Sequence, residues 1–203
     1  MIIEIDNLLD EKDCEYIESV LVARNDKDVF YNEYNWDWCR NLFPWTFVYD
    51  LRLGGKHGLK SSEDDLTSYH FEHNFFYEYA HEKLKDLIEF KSPFISILDV
   101  LLSTIENLDF INFNRWFRIK SNLYLGRGKF TSQNEHIDFY FPHYNALYMI
   151  NTCDGGIKIN NKFYEHVKNK LIIFDGKLYH IPIHPIHSDY KLNILMNFFA
   201  DIN

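Results

Sequence analysis

From about Phe113 to the end, the chain is cut into short apolar or alternating runs separated by turn-forming residues, and this texture constrains the fold more than any other feature. Phe117 to Leu125, Ala146 to Asn151, Lys170 to Phe174 and Lys191 to Phe199 have the lengths of strands. Between them stand Gly126-Arg127-Gly128, Asp154-Gly155-Gly156 and Asp175-Gly176, residue types that enter turns at low conformational cost. The second half should therefore be a compact β structure.

The first half has a different pattern. Asp10 stands before an acidic first turn, and Ile17, Val20 and Leu21 fall on one helical face, so a helix is expected here. A second helix is expected from near Ser62 through Phe75, Tyr79, Leu84 and Leu87. Ser92 and Pro93 open a third, with Pro93 at the first helical position, running through Leu102 and ending near Asn107. With no linker, repeat or low-complexity stretch, residues 1–203 read as one domain, a helical support over 1–110 and a β core over 111–203.

Composition narrows the function classes. The net charge of −9 argues against a broad nucleic-acid surface, which needs clustered cations. Three scattered cysteines, Cys14, Cys39 and Cys153, form neither a disulfide framework nor a zinc knuckle, which fits a reducing compartment. The opening MIIEIDNLLDEKD lacks a basic start and a long apolar run, and no segment approaches membrane-span length. A soluble cytoplasmic protein is the expectation, with no membrane partner.

The chemistry concentrates at His136-Ile137-Asp138. Two residues apart on an extended segment, the imidazole and the carboxylate share a face and could grip one ion. Two histidines with one carboxylate form the facial set associated with non-haem Fe(II), which leaves positions open for other ligands. His187-Ser188-Asp189 has the same spacing, but no histidine follows it in the remaining residues. A third ligand is required; His180, which directly follows the strand-closing Asp175-Gly176 turn, is the candidate, with His184 and His187 as its rivals.

The stretch from Arg118 to Tyr124, His136-Ile137-Asp138, Ala146 to Thr152, Phe174-Asp175-Gly176 and His180 together resemble the 2-oxoglutarate/Fe(II)-dependent oxygenase superfamily, notably its small prolyl-4-hydroxylase-like, phage-type members. The resemblance covers about the last ninety residues well. It implies an α+β fold with a double-stranded β-helix core of the jelly-roll or cupin kind, supported by N-terminal helices. It further implies that His136, Asp138 and His180 hold Fe(II), and that 2-oxoglutarate is the co-substrate. Dioxygen would then be consumed in a hydroxylation that releases succinate and CO2, on a protein side chain or a small metabolite.

One position departs from the family pattern. Asn193 stands where the family places a basic residue to pair with the far carboxylate of 2-oxoglutarate, and an asparagine cannot neutralise a buried carboxylate. Lys191, one strand step earlier and on the same face, is the candidate substitute. Tyr124 resembles a tyrosine that adds a hydrogen bond to the co-substrate. Two other readings arise: a catalytically silent β-helix module that holds a metal or ligand, and a cupin-type metalloenzyme that does without 2-oxoglutarate. The aromatic cluster from Tyr31 to Trp45 reads as packing or as a substrate lid, and Arg127 and Lys129 as loop solubility or contacts to an acidic substrate.

Overall fold

The computed structural model describes residues 1–22, 45–49, 69–80 and 87–202. In chain order the elements are β1 (Ile2–Ile5), α1 (Glu11–Val22), β2 (Thr46–Tyr49), β3 (Tyr69–Ala80), β4 (Leu87–Lys91), a 3-10 turn (Ile95–Leu98), α2 (Asp99–Glu106) and β5 (Ile111–Leu125). There follow β6 (Tyr144–Met149), β7 (Gly156–Ile159), β8 (Lys162–Glu165), β9 (Lys170–Asp175), β10 (His180–Ile183) and β11 (Tyr190–Ile202). The larger sheet has the order β1-β9-β6-β11-β5-β3-β2, with β4 also on β3, and the smaller sheet has the order β10-β7-β8. The segment carrying Gln133 and His136 extends the smaller sheet by backbone bonds to the outer side of β10: Gln133 N to Pro182 O (3.0 Å), His136 N to His180 O (3.1 Å) and His180 N to His136 O (2.9 Å). Two facing antiparallel sheets of this kind are the double-stranded β-helix expected from the sequence.

The period of two along β11 separates the faces of the larger sheet. Leu192, Ile194, Met196 and Phe198 join Ile17 and Leu21 of α1 and Leu101 and Ile105 of α2 in one core. Leu195, on the opposite face, joins Leu147, Met149, Ile157, Ile172 and Phe174 in a second core between the sheets. Lys191, Asn193 and Asn197 are buried on that same inner face, so the polar residues of β11 point between the sheets rather than to solvent.

The helices sit where their patterns require. α1 begins after Asp10, whose carbonyl accepts from the amides of Asp13 (3.1 Å) and Cys14 (3.2 Å), and it buries Cys14, Ile17 and Leu21. Asn169, with a left-handed φ of 62°, ties the approach to this helix to the sheet: its side chain accepts from Leu9 N (2.9 Å) and donates to Leu9 O (2.7 Å). Tyr148 donates to the same Asn169 oxygen at 3.0 Å, which leaves the Cys14 thiol to donate to the tyrosine oxygen across 3.0 Å. Trp45, half-buried, packs on this core and donates its indole N–H to Leu21 O at 3.2 Å, which is the packing role. The rest of the cluster beginning at Tyr31 lies outside the described residues.

The second expected helix is replaced by strands. Tyr69–Ala80 is β3, paired with β5 from Phe71 against Leu123 to Tyr77 against Arg118, and Leu87 opens β4. Aromatic residues at mixed three- and four-residue spacings fit a helix face, but the run is equally suited to a pleated surface, and a long neighbouring strand decided the outcome. The expected helix start near Ser62 and its Leu84 lie outside the described residues. The third helix ends where expected, at Glu106 before Asn107, but starts later. Ser92 Oγ accepts from Phe94 N at 3.2 Å, the 3-10 turn follows at Ile95, and the α-helix begins only at Asp99. The tighter turn carries Ile97 and Leu98 into the core.

Candidate active site

The structure brings His136, Asp138 and His180 together, with one ligand-type atom from each residue within 4.8 Å of the others. The paired backbones of His136 and His180 set this up, because mutual hydrogen bonds hold the two residues opposite each other and their rings lie 4.4 Å apart. Each imidazole is oriented by a backbone carbonyl: His136 Nδ1 lies 2.8 Å from Asn134 O, and His180 Nδ1 lies 3.2 Å from Leu178 O. A carbonyl can only accept, so each Nδ1 carries hydrogen and each Nε2 keeps its lone pair for a metal. The edge of the His180 ring meets Phe174 at 5.3 Å.

The turn that delivers His180 depends on Gly176. Asp175 ends β9, its carboxylate accepts from Lys177 N (2.9 Å) and its carbonyl from Leu178 N (2.9 Å). A Cβ at Gly176 would stand 2.1 Å from the His143 ring. His184 is fully buried, with its ring 4.8 Å from that of Tyr124, and lies outside the metal-type cluster. His187 and Ser188 serve a loop instead, their amides donating to the Asp154 carboxylate at 2.8 and 3.1 Å. Those backbone amides, His187 first, hold the Asp154 carboxyl well below its ordinary range.

Asp138 is nearly buried and paired. Its Oδ1 accepts from Arg118 Nη2 at 2.6 Å, while Oδ2 lies 3.8 Å from His180 Nε2 and 3.4 Å from Asn197 Nδ2. Burial pushes the carboxyl upward, but Arg118 and then His180 outweigh it and hold it well below the usual carboxylate range. Beside this pair, Lys120 donates to Glu72 at 2.5 Å, and Glu72 is likewise held low by His70 and Lys120 against the effect of burial. Asp138, the carboxylate that lines the pocket, thus already has a cation in Arg118, and Glu72 nearby has Lys120.

Lys191 has no acidic partner among the described residues. It is 1% exposed, donates to Gly156 O (2.9 Å) and Ile183 O (2.6 Å), and lies 4.3 Å over the Tyr124 ring. An ammonium has three hydrogens, so one remains for a ligand. Burial pulls its pKa down to about 7. The neighbouring imidazoles of His166 and His184 are pushed down to about 3, by burial first and then by Lys191, and stay neutral. Asn193, opposite Asn122 on β5, accepts from that side chain at 3.0 Å and retains its amide N–H groups as donors. Lys191, Tyr124, Asn193 and Asn122 line one pocket with His136, Asp138 and His180.

The motif and its third histidine are visible in the sequence, whereas the residues that complete the pocket are harder to find. Arg118, Lys120, Asn122 and Tyr124 project from β5 at every second position, opposite Asn197, Leu195, Asn193 and Lys191 of β11. The signal is polar residues recurring at alternate places along β5, with Ile119, Ser121 and Leu123 between them. His70 and Glu72 come from β3, a segment whose spacing suggested a helix.

The donor set, two imidazoles and one carboxylate whose ligand-type atoms lie within 4.8 Å of one another, suits a divalent transition ion of the Fe(II) kind. No family model matches the chain, and no curated protein sequence matches it. Solved structures do. A 2OG-Fe(II) oxygenase-family oxidoreductase from Burkholderia pseudomallei superposes with a TM-score of 0.62 at 10% identity, over 97% of this chain and 84% of the other. The chain has the fold of the 2-oxoglutarate/Fe(II) oxygenases. A prolyl-4-hydroxylase from Pseudomonas putida gives 0.56 at 11% identity, over 97% and 91% of the two chains. A prolyl hydroxylase from Trichoplax adhaerens, solved with a hypoxia inducible factor peptide fragment, gives 0.51 at 17% identity, over 97% and 83%. No helix among the described residues is long and apolar enough to cross a membrane.

Proposed function

We propose that the protein is an Fe(II)- and 2-oxoglutarate-dependent oxygenase that hydroxylates a protein side chain or a small metabolite, releasing succinate and CO2. His136, Asp138 and His180 hold the iron through two Nε2 atoms and a carboxylate oxygen, and Lys191, Asn193 and Tyr124 receive the co-substrate. The observation that carries this reading is the buried Lys191 ammonium, without an acidic partner among the described residues, in the pocket that also holds the triad. A buried cation is costly unless an anion joins it, and 2-oxoglutarate brings a carboxylate at each end, one for the metal and one for the lysine.

When bound, the iron supplies dioxygen activation coupled to decarboxylation of the 2-oxo acid. The chain's own residues orient the partners. Lys191 donates its remaining hydrogen to the far carboxylate, and the Tyr124 ring beneath it fixes the ammonium by cation–π contact. Asn193 adds a neutral donor farther along β11. The inter-sheet core beginning with Leu147 and Leu195 excludes water from the inner end. The solved relatives act on or bind substrates of their own, such as the peptide fragment held by the Trichoplax enzyme, and a protein segment is one substrate class consistent with this fold.

Succinate formation from 2-oxoglutarate under air tests the reading. Wild type with Fe(II) should release succinate, His136→Ala should release none above background, and omission of 2-oxoglutarate should abolish dioxygen consumption. Substrate oxidation that continues without 2-oxoglutarate would overturn it.

A further inference from the structure

Asp138 presents its two oxygens to different neighbours: Arg118 of β5 on Oδ1, and His180 with the Asn197 amide (3.4 Å) on Oδ2. Arg118 reaches Oδ1 with Nη2 at 2.6 Å, while Oδ2 is the oxygen nearest His180 Nε2, at 3.8 Å. The guanidinium is itself fixed from two further directions: Nε donates to Asn197 Oδ1 at 2.7 Å, and the plane lies 4.5 Å over the Phe139 ring. Asn197 is anchored in turn by donating to Asn145 Oδ1 at 2.5 Å. Arg118, Asn197 and Asn145 are register partners across β5, β11 and β6, so three strands of the larger sheet support one carboxylate of the smaller sheet's edge segment.

We propose that Arg118 is a positioning residue that assigns Oδ1 of Asp138 to itself and Oδ2 to the metal, so that the carboxylate binds through one oxygen. This rests on the reading of His136, Asp138 and His180 as metal ligands. A carboxylate free to turn could offer both oxygens to the ion and occupy a position that the co-substrate or dioxygen needs. Arginine suits the task because its planar fork donates in two fixed directions, to Asp138 and to Asn197; a lysine supplies the charge at one point only. A purely structural Arg118 would neutralise a buried acid and stabilise the fold while leaving metal coordination untouched.

Anaerobic titration with Co(II), followed by its visible d–d absorption, separates the two roles in wild type, Arg118→Met and Arg118→Lys, with folding verified by circular dichroism. Arg118→Met should bind Co(II) at least about tenfold more weakly, in the range found for groups that orient metal ligands, with an altered d–d band. Arg118→Lys should fall between it and wild type, and serves as the deciding variant if Arg118→Met does not fold. A dissociation constant equal to or tighter than wild type in the folded variants overturns the proposal. Wild-type binding that persists in a His136→Ala, His180→Ala double variant instead overturns the ligand assignment, and this inference with it.

Discussion

Lys191 concentrates the chemistry of the pocket in one side chain, because it is a cation nine-tenths and more buried whose only acceptors among the described residues are two carbonyls and a ring face. With its pKa pulled down to about 7 by burial, the free protein holds a mixture of charged and neutral lysine near neutrality. An anionic co-substrate favours the charged form, so binding above that pH must take up a proton. Affinity for 2-oxoglutarate should therefore be strongest below about pH 7 and weaken by up to roughly tenfold per unit above it, read by isothermal titration calorimetry with Co(II) in place of iron. A flat profile from pH 6.5 to 8.5 would remove Lys191 from the co-substrate site. Lys191→Met, which keeps the length of the side chain without its charge, should weaken 2-oxoglutarate binding by about tenfold or more while leaving Co(II) affinity within about twofold, since a lost charge-assisted bond costs about 1.5–3 kcal/mol. The sequence shows Asn193 as a defect in the family pattern, and the inward face of β11 shows how a lysine one step away occupies the same pocket.

At the scale of elements, the strands of the second half were legible because apolar runs and Gly, Asn and Asp turns alternate at strand lengths, and β5, β6, β9 and β11 fall on the four runs identified. The short strands β7, β8 and β10 were not, since four residues carry too little periodicity to stand out, and Pro182 interrupts the last of them. β3 was misread for a physical reason: its helical spacing was real, but pairing with the fifteen-residue β5 stabilises the extended form. Phe75, fully buried in the helix-side core, gives this a measurable consequence. Phe75→Ala should lower unfolding free energy by about 3–5 kcal/mol in urea denaturation, and a loss below about 1 kcal/mol would contradict its placement. Asn169 joins the sheet to the entrance of α1 through Leu9 and Tyr148. Asn169→Ala should cost about 1–3 kcal/mol by orphaning both Leu9 backbone groups, and its left-handed φ adds strain for alanine in the same direction.

For the molecule as a whole, two cores lie on opposite faces of one sheet, the larger against the helices and the smaller between the sheets beside the pocket. The site is assembled from β3, β5, β6, β7, β9, β10, β11 and the segment carrying His136 and Asp138, so its members are far apart in sequence and meet only in the complete fold. For this reason the candidate ligand set was visible as a motif with a third histidine, while Arg118, Lys120, Glu72 and His70 could be placed only once β3 and β5 were seen side by side. Ligands that bind the folded chain alone should stabilise all of it: at one-hundredfold excess over the dissociation constant the gain is about 2.7 kcal/mol, or roughly 5–10 °C in Tm for a chain of this size. The shift should appear with Co(II) plus 2-oxoglutarate in wild type and vanish in His136→Ala. The central claim, one iron and one 2-oxo acid meeting at this pocket, is tested most directly by anaerobic addition of Fe(II) and 2-oxoglutarate with visible spectroscopy. Wild type should develop a weak charge-transfer band at one iron per chain that is absent in His180→Ala and needs excess co-acid in Lys191→Met; iron bound with no band, or a band that survives loss of both His136 and His180, would contradict it.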